Sequence, residues 1–381
     1  MQVSILQENL NKGFSITSRI ISSKTILPIL SNILISAEEG KLKLTATNLE
    51  IGINIWLPAK KEKAGKFTVP AKDITEFVSS LPAGKIELKK HQEKIQLISG
   101  AYKAVFNGMS AAEFPNVPSL KDKTISFKSL KKFEIDVKEF INIVNNVCFA
   151  AAIDETRLVL TGVRLKSVGK EIQFAATDGY RLSLKKIKLD KEINIPILII
   201  PARALVEVAR IIKGEGEIKE GKKLQIVIVK EPKQIIFSFN NIEVVARMIE
   251  GEFPDFTKII PEKGNTKMVI DKESFNKAVK TSSIFARRSA NIIKLKIKGS
   301  KLKVMANASE VGENEVELPV KVQGKEVQIA FNYRFLQDFV SSFDKELFVL
   351  ETSGPLKPGL FKVEKDPSFL HIIMPVRLQE S

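Results

Sequence analysis

The stretches "VPAKDITEFVSSL" (residues 69–81), "IPARALVEVARII" (200–212) and "FNYRFLQDFVSSF" (331–343) decide the fold, because they are one pattern written three times. Each begins where an apolar, strand-like run ends and goes on as an amphipathic helix. Ile74, Phe77, Val78 and Leu81 make the apolar face of the first copy. Leu205, Val208, Ala209 and Ile212 make that of the second, and Leu336, Phe339, Val340 and Phe343 that of the third. Lys72, Arg203 and Arg334 hold one equivalent place, off that face, at separations of 131 and 131 residues. A cation in the first turn works against the helix dipole, so local stability does not explain it.

The copies share further landmarks in the same order, as a repeat should. Ahead of each lies a helix: "ENLNKGFSITSRII" (8–21), "KEFINIVNNVCFAA" (138–151) and "ESFNKAVKTSSIFA" (273–286), aligned on Leu10, Phe140 and Phe275. Leu10, Phe14, Thr17 and Ile21 form one face of the first, with Lys12, Ser15, Arg19 and Ser22 on another. In the third, Phe275, Ala278, Val279 and Ser282 oppose Asn276, Lys280 and Ser283. Alternating strands then end in a polar turn at Asn48, Asp178 and Asn307. The expected fold is therefore α+β: three domains of one plan at 1–124, 130–258 and 261–381, each with two helices and antiparallel sheets. "VPSLKDKTISFKSLKK" (117–132) reads as the first connector.

Charge follows the same division. The 381 residues carry 60 Lys and Arg against 44 Asp and Glu, a net +16. Cut at 127/128 and 260/261, the thirds hold 17 basic against 11 acidic, 23 against 18, and 20 against 15. A surplus shared so evenly suits a polyanion, nucleic acid before membrane, although lysine-rich solvated surfaces would give the same count. A single cysteine, Cys148, fits a reducing compartment. No secretion signal opens the chain and its apolar runs are shorter than a membrane span, so a soluble, cytoplasmic protein without membrane association is expected.

Catalytic chemistry finds no footing. His91, His371 and Cys148 make no metal cluster, and both histidines read as surface or satisfied imidazoles. "GEIKEGKK" (216–223) lacks the Ser or Thr of a phosphate loop and precedes a strand. Asp178 has no accompanying base or carboxylate set. No cofactor is implied, and there is no zinc finger or RNP-type aromatic set to read bases. Basic residues repeated on helices point instead to phosphate contact, which grips any duplex without reading it.

With "TILPILSN" (25–32), "TATNLE" (45–50), "FTVPAK" (67–72), "AATDGYRL" (175–182), "GEFPDF" (251–256) and "MPVRL" (374–378) in this order, the chain resembles the bacterial DNA sliding clamp family, the beta subunit of DNA polymerase III. The resemblance spans nearly the whole length. It implies a non-enzymatic processivity factor: two chains close head to tail into a six-domain ring, with sheets outside and helices around duplex DNA. The ATPase of loading belongs to the clamp loader. DNA contacts carry over to Lys24 and Lys72. Arg203, Arg334, Lys12, Arg19 and Lys280 join them as basic residues of the repeated helices. Near 154–159 the sequence departs from the family, with Asp154, Leu158 and Val159 replacing its polar and aromatic residues.

A peptide pocket is implied at Leu160, Thr177, Gly179, Tyr180, Arg181, Leu182, Pro254, Lys258 and Ile259. It is completed by Asn332, Phe335, Ile372, Ile373, Met374, Pro375, Val376, Arg377 and Leu378. Short motifs of the polymerase III catalytic subunit, the clamp loader, other polymerases and mismatch-repair or ligation factors would bind there. Tyr180 stands where a smaller or imidazole side chain is common. The homodimer contact carries over to Ala104 and Phe106 on the first domain and to Ile284 and Phe285 on the third. Two other readings remain open: a monomeric, non-specific DNA-binding scaffold, and a metal-dependent repair enzyme built on Asp178.

Overall fold

The computed structural model describes residues 1–21, 27–38, 40–121, 131–231, 233–261 and 264–377. Lys24, Leu378 and most of the 117–132 connector lie outside these residues. The chain divides into two compact units, one of residues 1–137 with 207–248, the other of 138–206 with 249–381. The division runs through the second repeat, because sheet pairing crosses the repeat boundaries.

In the first unit an eight-stranded antiparallel sheet runs Lys131–Asp136, Lys223–Val229, Gln234–Phe239, Ile242–Arg247, Ile51–Pro58, Lys41–Thr47, Asn32–Glu38, Gly65–Pro70. Its join between repeats pairs Ile53 with Val244 and Ile55 with Ile242. "IGINIWLP" is an almost continuous apolar run and is buried on both faces, as suits an interior strand. A five-stranded sheet, Lys60–Lys63, Gln2–Leu6, Lys85–His91, Lys94–Ser99, Tyr102–Asn107, completes this unit's strands.

The second unit repeats the device. Its nine-stranded sheet runs Leu198–Pro201, Gly162–Val168, Glu171–Thr177, Arg181–Lys188, Phe369–Ile373, Gly359–Val363, Leu347–Thr352, Thr266–Asp271, Lys321–Gly324. Here the join pairs Leu182 with Ile372 and Leu184 with Leu370. A four-stranded sheet follows the order Gly312–Pro319, Lys301–Ala308, Ile292–Lys298, Val327–Asn332.

Six α-helices lie among the described residues, two per repeat: α1 Gln7–Thr17, α2 Ala71–Ser80, α3 Val137–Val147, α4 Ala202–Gly214, α5 Lys272–Ala286 and α6 Tyr333–Ser341. None is long and apolar enough to cross a membrane. Their apolar stripes face the sheets: Leu10 and Phe14 of α1, Ile74 and Val78 of α2, Phe275 and Val279 of α5, and Leu336 and Phe339 of α6 are buried. Phe77, expected inside, is only half-buried, its ring 5.7 Å from that of Phe106. Gly13 lets α1 approach closely, since a Cβ there would come within 2.5 Å of a Leu57 methyl and 2.8 Å of a Leu44 methyl.

The polar turns follow the repeat in two copies and leave it in the third. The Asn48 side chain accepts from the amides of Glu50 and Ile51 at 3.1 and 2.8 Å. Asp178 does the same for Tyr180 and Arg181 at 2.9 and 3.0 Å. Leu49 and Gly179, the residues after them, both adopt positive φ. Such side-chain acceptance is the reason Asn and Asp favour turns. Asn307 instead stays within the strand Lys301–Ala308, paired with Glu313. That hairpin is two residues longer, so the turn falls beyond it.

His371 also differs from expectation. It is fully buried and stacked on Phe339 at 5.4 Å, with Nδ1 2.7 Å from the Ser183 hydroxyl, but Nε2 has no partner among the described residues. Burial, with Arg181 nearby, holds it well below the usual imidazole range, so the ring is neutral.

Candidate functional site

The repeated basic positions separate into two groups. Lys72, Arg203 and Arg334 are exposed in the first turns of α2, α4 and α6, and Lys280 is exposed on α5. None of the four has a carboxylate partner among the described residues, and their charges are available to an external anion. Lys12 and Arg19 are also exposed, but each is paired within the first unit. The Lys12 ammonium lies 2.8 Å from Glu215, and Arg19 Nε lies 2.5 Å from Glu207, which also meets Arg210 at 3.3 Å. The sequence reading missed these carboxylates because the contacts span about 190 to 200 residues. Glu207 is nonetheless buried, a sign that it needs a cation.

This ion-paired seam has a counterpart in the second unit. There Asn146 of α3 donates to the Ser342 carbonyl, just past α6, at 2.7 Å. In both places the first helix of one repeat meets the second helix of the next. The sheets follow the same rule, since Ile51–Pro58 pairs with Ile242–Arg247 and Arg181–Lys188 with Phe369–Ile373. The equivalent strands that remain, Gly312–Pro319 of the third repeat and Tyr102–Asn107 of the first, are both sheet edges. Tyr102 and Val105 on the latter are 52% and 53% exposed, and Ile284 on α5 is 52% exposed. Ala104, Phe106 and Phe285 are only half-buried. Phe285 packs on the unit's core, so Ile284 is the residue that faces outward.

The described residues of the expected peptide pocket, all but Leu378, fall within the second unit, around the join of its nine-stranded sheet. The amide of Met374 donates to the Tyr180 carbonyl at 2.8 Å, and Val376 donates to Ala330 at 2.8 Å, so the tail is fixed between the Asp178 turn and the third repeat. Tyr180, Met374 and Ile259 present apolar surface at 62%, 38% and 43% exposure. Gly179, Pro254, Lys258 and Arg377 are exposed as well, and Leu160, Asn332, Phe335, Pro375 and Val376 are half-buried. Thr177, Arg181, Leu182, Ile372 and Ile373 are buried beneath them and act as support.

Arg181 ties that support together. Its Nε donates to Asp178 at 2.9 Å, Nη1 to Asp338 at 2.5 Å and Nη2 to the Phe149 carbonyl at 2.6 Å. Its Cζ lies 4.5 Å from the centroid of the Phe335 ring. A planar five-donor fork is the side chain able to satisfy three acceptors at once. Thr177 Oγ donates to the Arg181 carbonyl, and Arg157, absent from the expected set, donates to the Asp178 carbonyl at 2.9 Å. Asn332 caps α6 by accepting from the Arg334 amide at 3.0 Å.

Comparison with known proteins places the whole chain in one context. Models of the N-terminal, central and C-terminal domains of the DNA polymerase III beta subunit match residues 1–118, 134–255 and 257–377. The beta sliding clamp of Staphylococcus epidermidis is 28% identical over 99% of both chains, and that of Bacillus subtilis 26% identical over 99% of this chain and all of that one. The crystal structure of the Bacillus subtilis DNA polymerase sliding clamp superposes with a TM-score of 0.90 at 25% identity, covering both chains completely. A beta subunit from DNA polymerase of Streptococcus pyogenes gives a TM-score of 0.90 over 99% of this chain and all of that one, at 25% identity.

Proposed function

Because this chain belongs to the DNA polymerase III beta subunit family, the non-catalytic processivity factors called sliding clamps, we propose that two copies close into a ring around duplex DNA and tether the polymerase to it. The observation behind the ring is the unfinished repeat rule. Two joins between successive repeats are made within the chain, and the two strands that would make a third are open edges. A second chain offers the complementary edge at each end, so two head-to-tail contacts close six repeats. Tyr102, Val105 and Ile284, with Ala104, Phe106 and Phe285 behind them, are the apolar surface such contacts would cover. The repeats act as domains at 1–124, 130–258 and 261–381, and the ring works beside the polymerase in the cytoplasm.

On DNA the ring is held by topology, so its contacts need only be weak. Lys72, Arg203, Arg334 and Lys280, and by the family resemblance Lys24, meet phosphates through flexible side chains, and phosphate spacing repeats along any sequence. The energy along the duplex is then nearly flat and sliding is easy. Lys12 and Arg19 take a smaller part, because Glu215 and Glu207 already neutralise them. The surface around Tyr180, Met374 and Ile259 takes short apolar motifs of the polymerase III catalytic subunit, the clamp loader and other DNA-processing proteins. Exposed apolar side chains on a fixed support are suited to a peptide.

Light scattering on the full chain, diluted from high to sub-micromolar concentration, tests the ring. A species of twice 42.5 kDa is expected. A monomer at every concentration would leave the edges open and refute it.

A further inference from the structure

The second helices of the three repeats share an acid as well as a cation. Glu76, Glu207 and Asp338 stand four residues after Lys72, Arg203 and Arg334, again 131 and 131 residues apart. In two copies the acid receives an arginine from the repeat before it. Glu207 of the second repeat meets Arg19 of the first at 2.5 Å, and Asp338 of the third meets Arg181 of the second at 2.5 Å. Both pairs lie where the first helix of one repeat ends against the second helix of the next. Arg19 is two residues past the end of α1, and two residues past the end of α3 is Phe149, whose carbonyl holds Arg181 at 2.6 Å.

Glu76 is the copy with no repeat before it. It is exposed, and its carboxylate has no partner among the described residues. Its neighbour Phe77 packs on Phe106 of the edge strand Tyr102–Asn107, ring centroids 5.7 Å apart, so the acid stands beside that open edge. A matching cation stands on the third repeat. Arg288 is two residues past the end of α5, the place that Arg19 holds after α1. It is exposed, has no carboxylate partner among the described residues, and borders a cleft of about 390 Å³ with Arg287 and the outward-facing Ile284. Arg287 is already engaged, since its Nε donates to the Ser283 carbonyl at 3.2 Å.

We propose that Glu76 pairs with Arg288 of the partner subunit at each closure of the ring, as the intermolecular copy of the Arg19–Glu207 pair. The proposal rests on the two-copy ring above and names a charge pair that selects its head-to-tail arrangement. Charges at the rim of an apolar contact steer encounter and suppress wrong pairings more than they add affinity. Here the wrong pairing is an open edge against its own copy. It would bring Glu76 towards Glu76, or Arg288 towards Arg288, and like charges oppose both. Only the head-to-tail contact sets the acid of one end against the cation of the other, and only that contact closes six repeats.

The test is the dimer Kd of the full chain, measured by sedimentation equilibrium without DNA. Glu76→Arg and Arg288→Glu are each expected to weaken the dimer about fivefold per contact, about 25-fold for a ring with two contacts. Combining them in one chain restores the pair with its polarity reversed, and the double variant should return to within about threefold of wild type, the mark of direct coupling. Thermal melts verify folding. Glu76→Gln, which removes the charge alone, is the milder variant and should weaken the dimer about fourfold. Single variants with wild-type affinity, or a double variant as weak as both single effects combined, overturn the pairing and leave the ring standing. A wild-type monomer at every concentration refutes the ring itself, and the pairing with it.

Discussion

Replacing Arg181 by methionine keeps most of the side chain's length and apolar volume but removes every donor. The Phe149 carbonyl then loses its 2.6 Å partner, and leaving such an acceptor unmet costs about 1–3 kcal/mol. Asp178, whose side chain is 14% exposed, loses its ion pair but keeps two backbone amides. Asp338 is 44% exposed and rehydrates, so its loss counts for little. Truncating one member of a fully buried pair would cost about 3–5 kcal/mol, and partial exposure lowers that, giving about 2–4 kcal/mol here. In a unit of about 200 residues each kcal/mol moves Tm by about 2–4 °C, so the variant should melt roughly 4–16 °C lower. Asp338→Asn should change Tm far less. Calorimetry on both variants decides the point, and an Arg181→Met protein melting within about 1 °C of wild type would refute the assignment of Arg181 as the support beneath Tyr180 and Met374.

Other expectations follow from the same geometry. Lys72→Glu, Arg203→Glu and Arg334→Glu should each weaken duplex binding to a similar degree on unrelated sequences and flatten its salt dependence, whereas Arg19→Glu should act mainly on stability by opposing Glu207; salt titrations on two duplexes separate these effects. Asp271 caps α5 by accepting from the Ser274 amide at 2.8 Å, and hydrogen bonds from the Ser274 side chain and amide hold its carboxyl below the usual range. A carboxylate with a depressed folded pKa stabilises fully above its unfolded value near 3.9 and loses that contribution as pH falls through the folded value. Asp271→Ala should therefore cost about 1 kcal/mol at pH 7 and distinctly less near pH 3, which urea melts at the two pH values check.

Much of this was legible in the sequence because it is periodic. The helices around Leu10, Phe275 and Leu336 and the Asn48 and Asp178 turns follow from spacing and from side-chain chemistry that acts within a few residues. What acts across the chain was not. Pairing of Ile53 with Val244, or of Lys12 with Glu215, leaves no local mark, so spacing marks three repeats but not the sheets that run across their boundaries. Lys12 looked as free as Lys72 for the same reason. In the groove, "AATDGYRL" and "MPVRL" identified the right segments, but alternation alone did not say that Arg181, Leu182 and Ile372 point inward while Tyr180 and Met374 face solvent. The Asn307 expectation failed because a hairpin can lengthen by two residues without disturbing the alternating pattern.

Retention on circular duplex after a salt wash tests the ring most directly. At about 1 M salt the Debye length falls to about 3 Å and phosphate contacts are screened, leaving only a topological link. Protein loaded on a nicked circular plasmid by its clamp loader and ATP should stay through the wash and leave when the plasmid is cut once. Equal loss from circular and cut DNA would contradict a closed ring, and open binding through the basic helices would then be the whole of its grip.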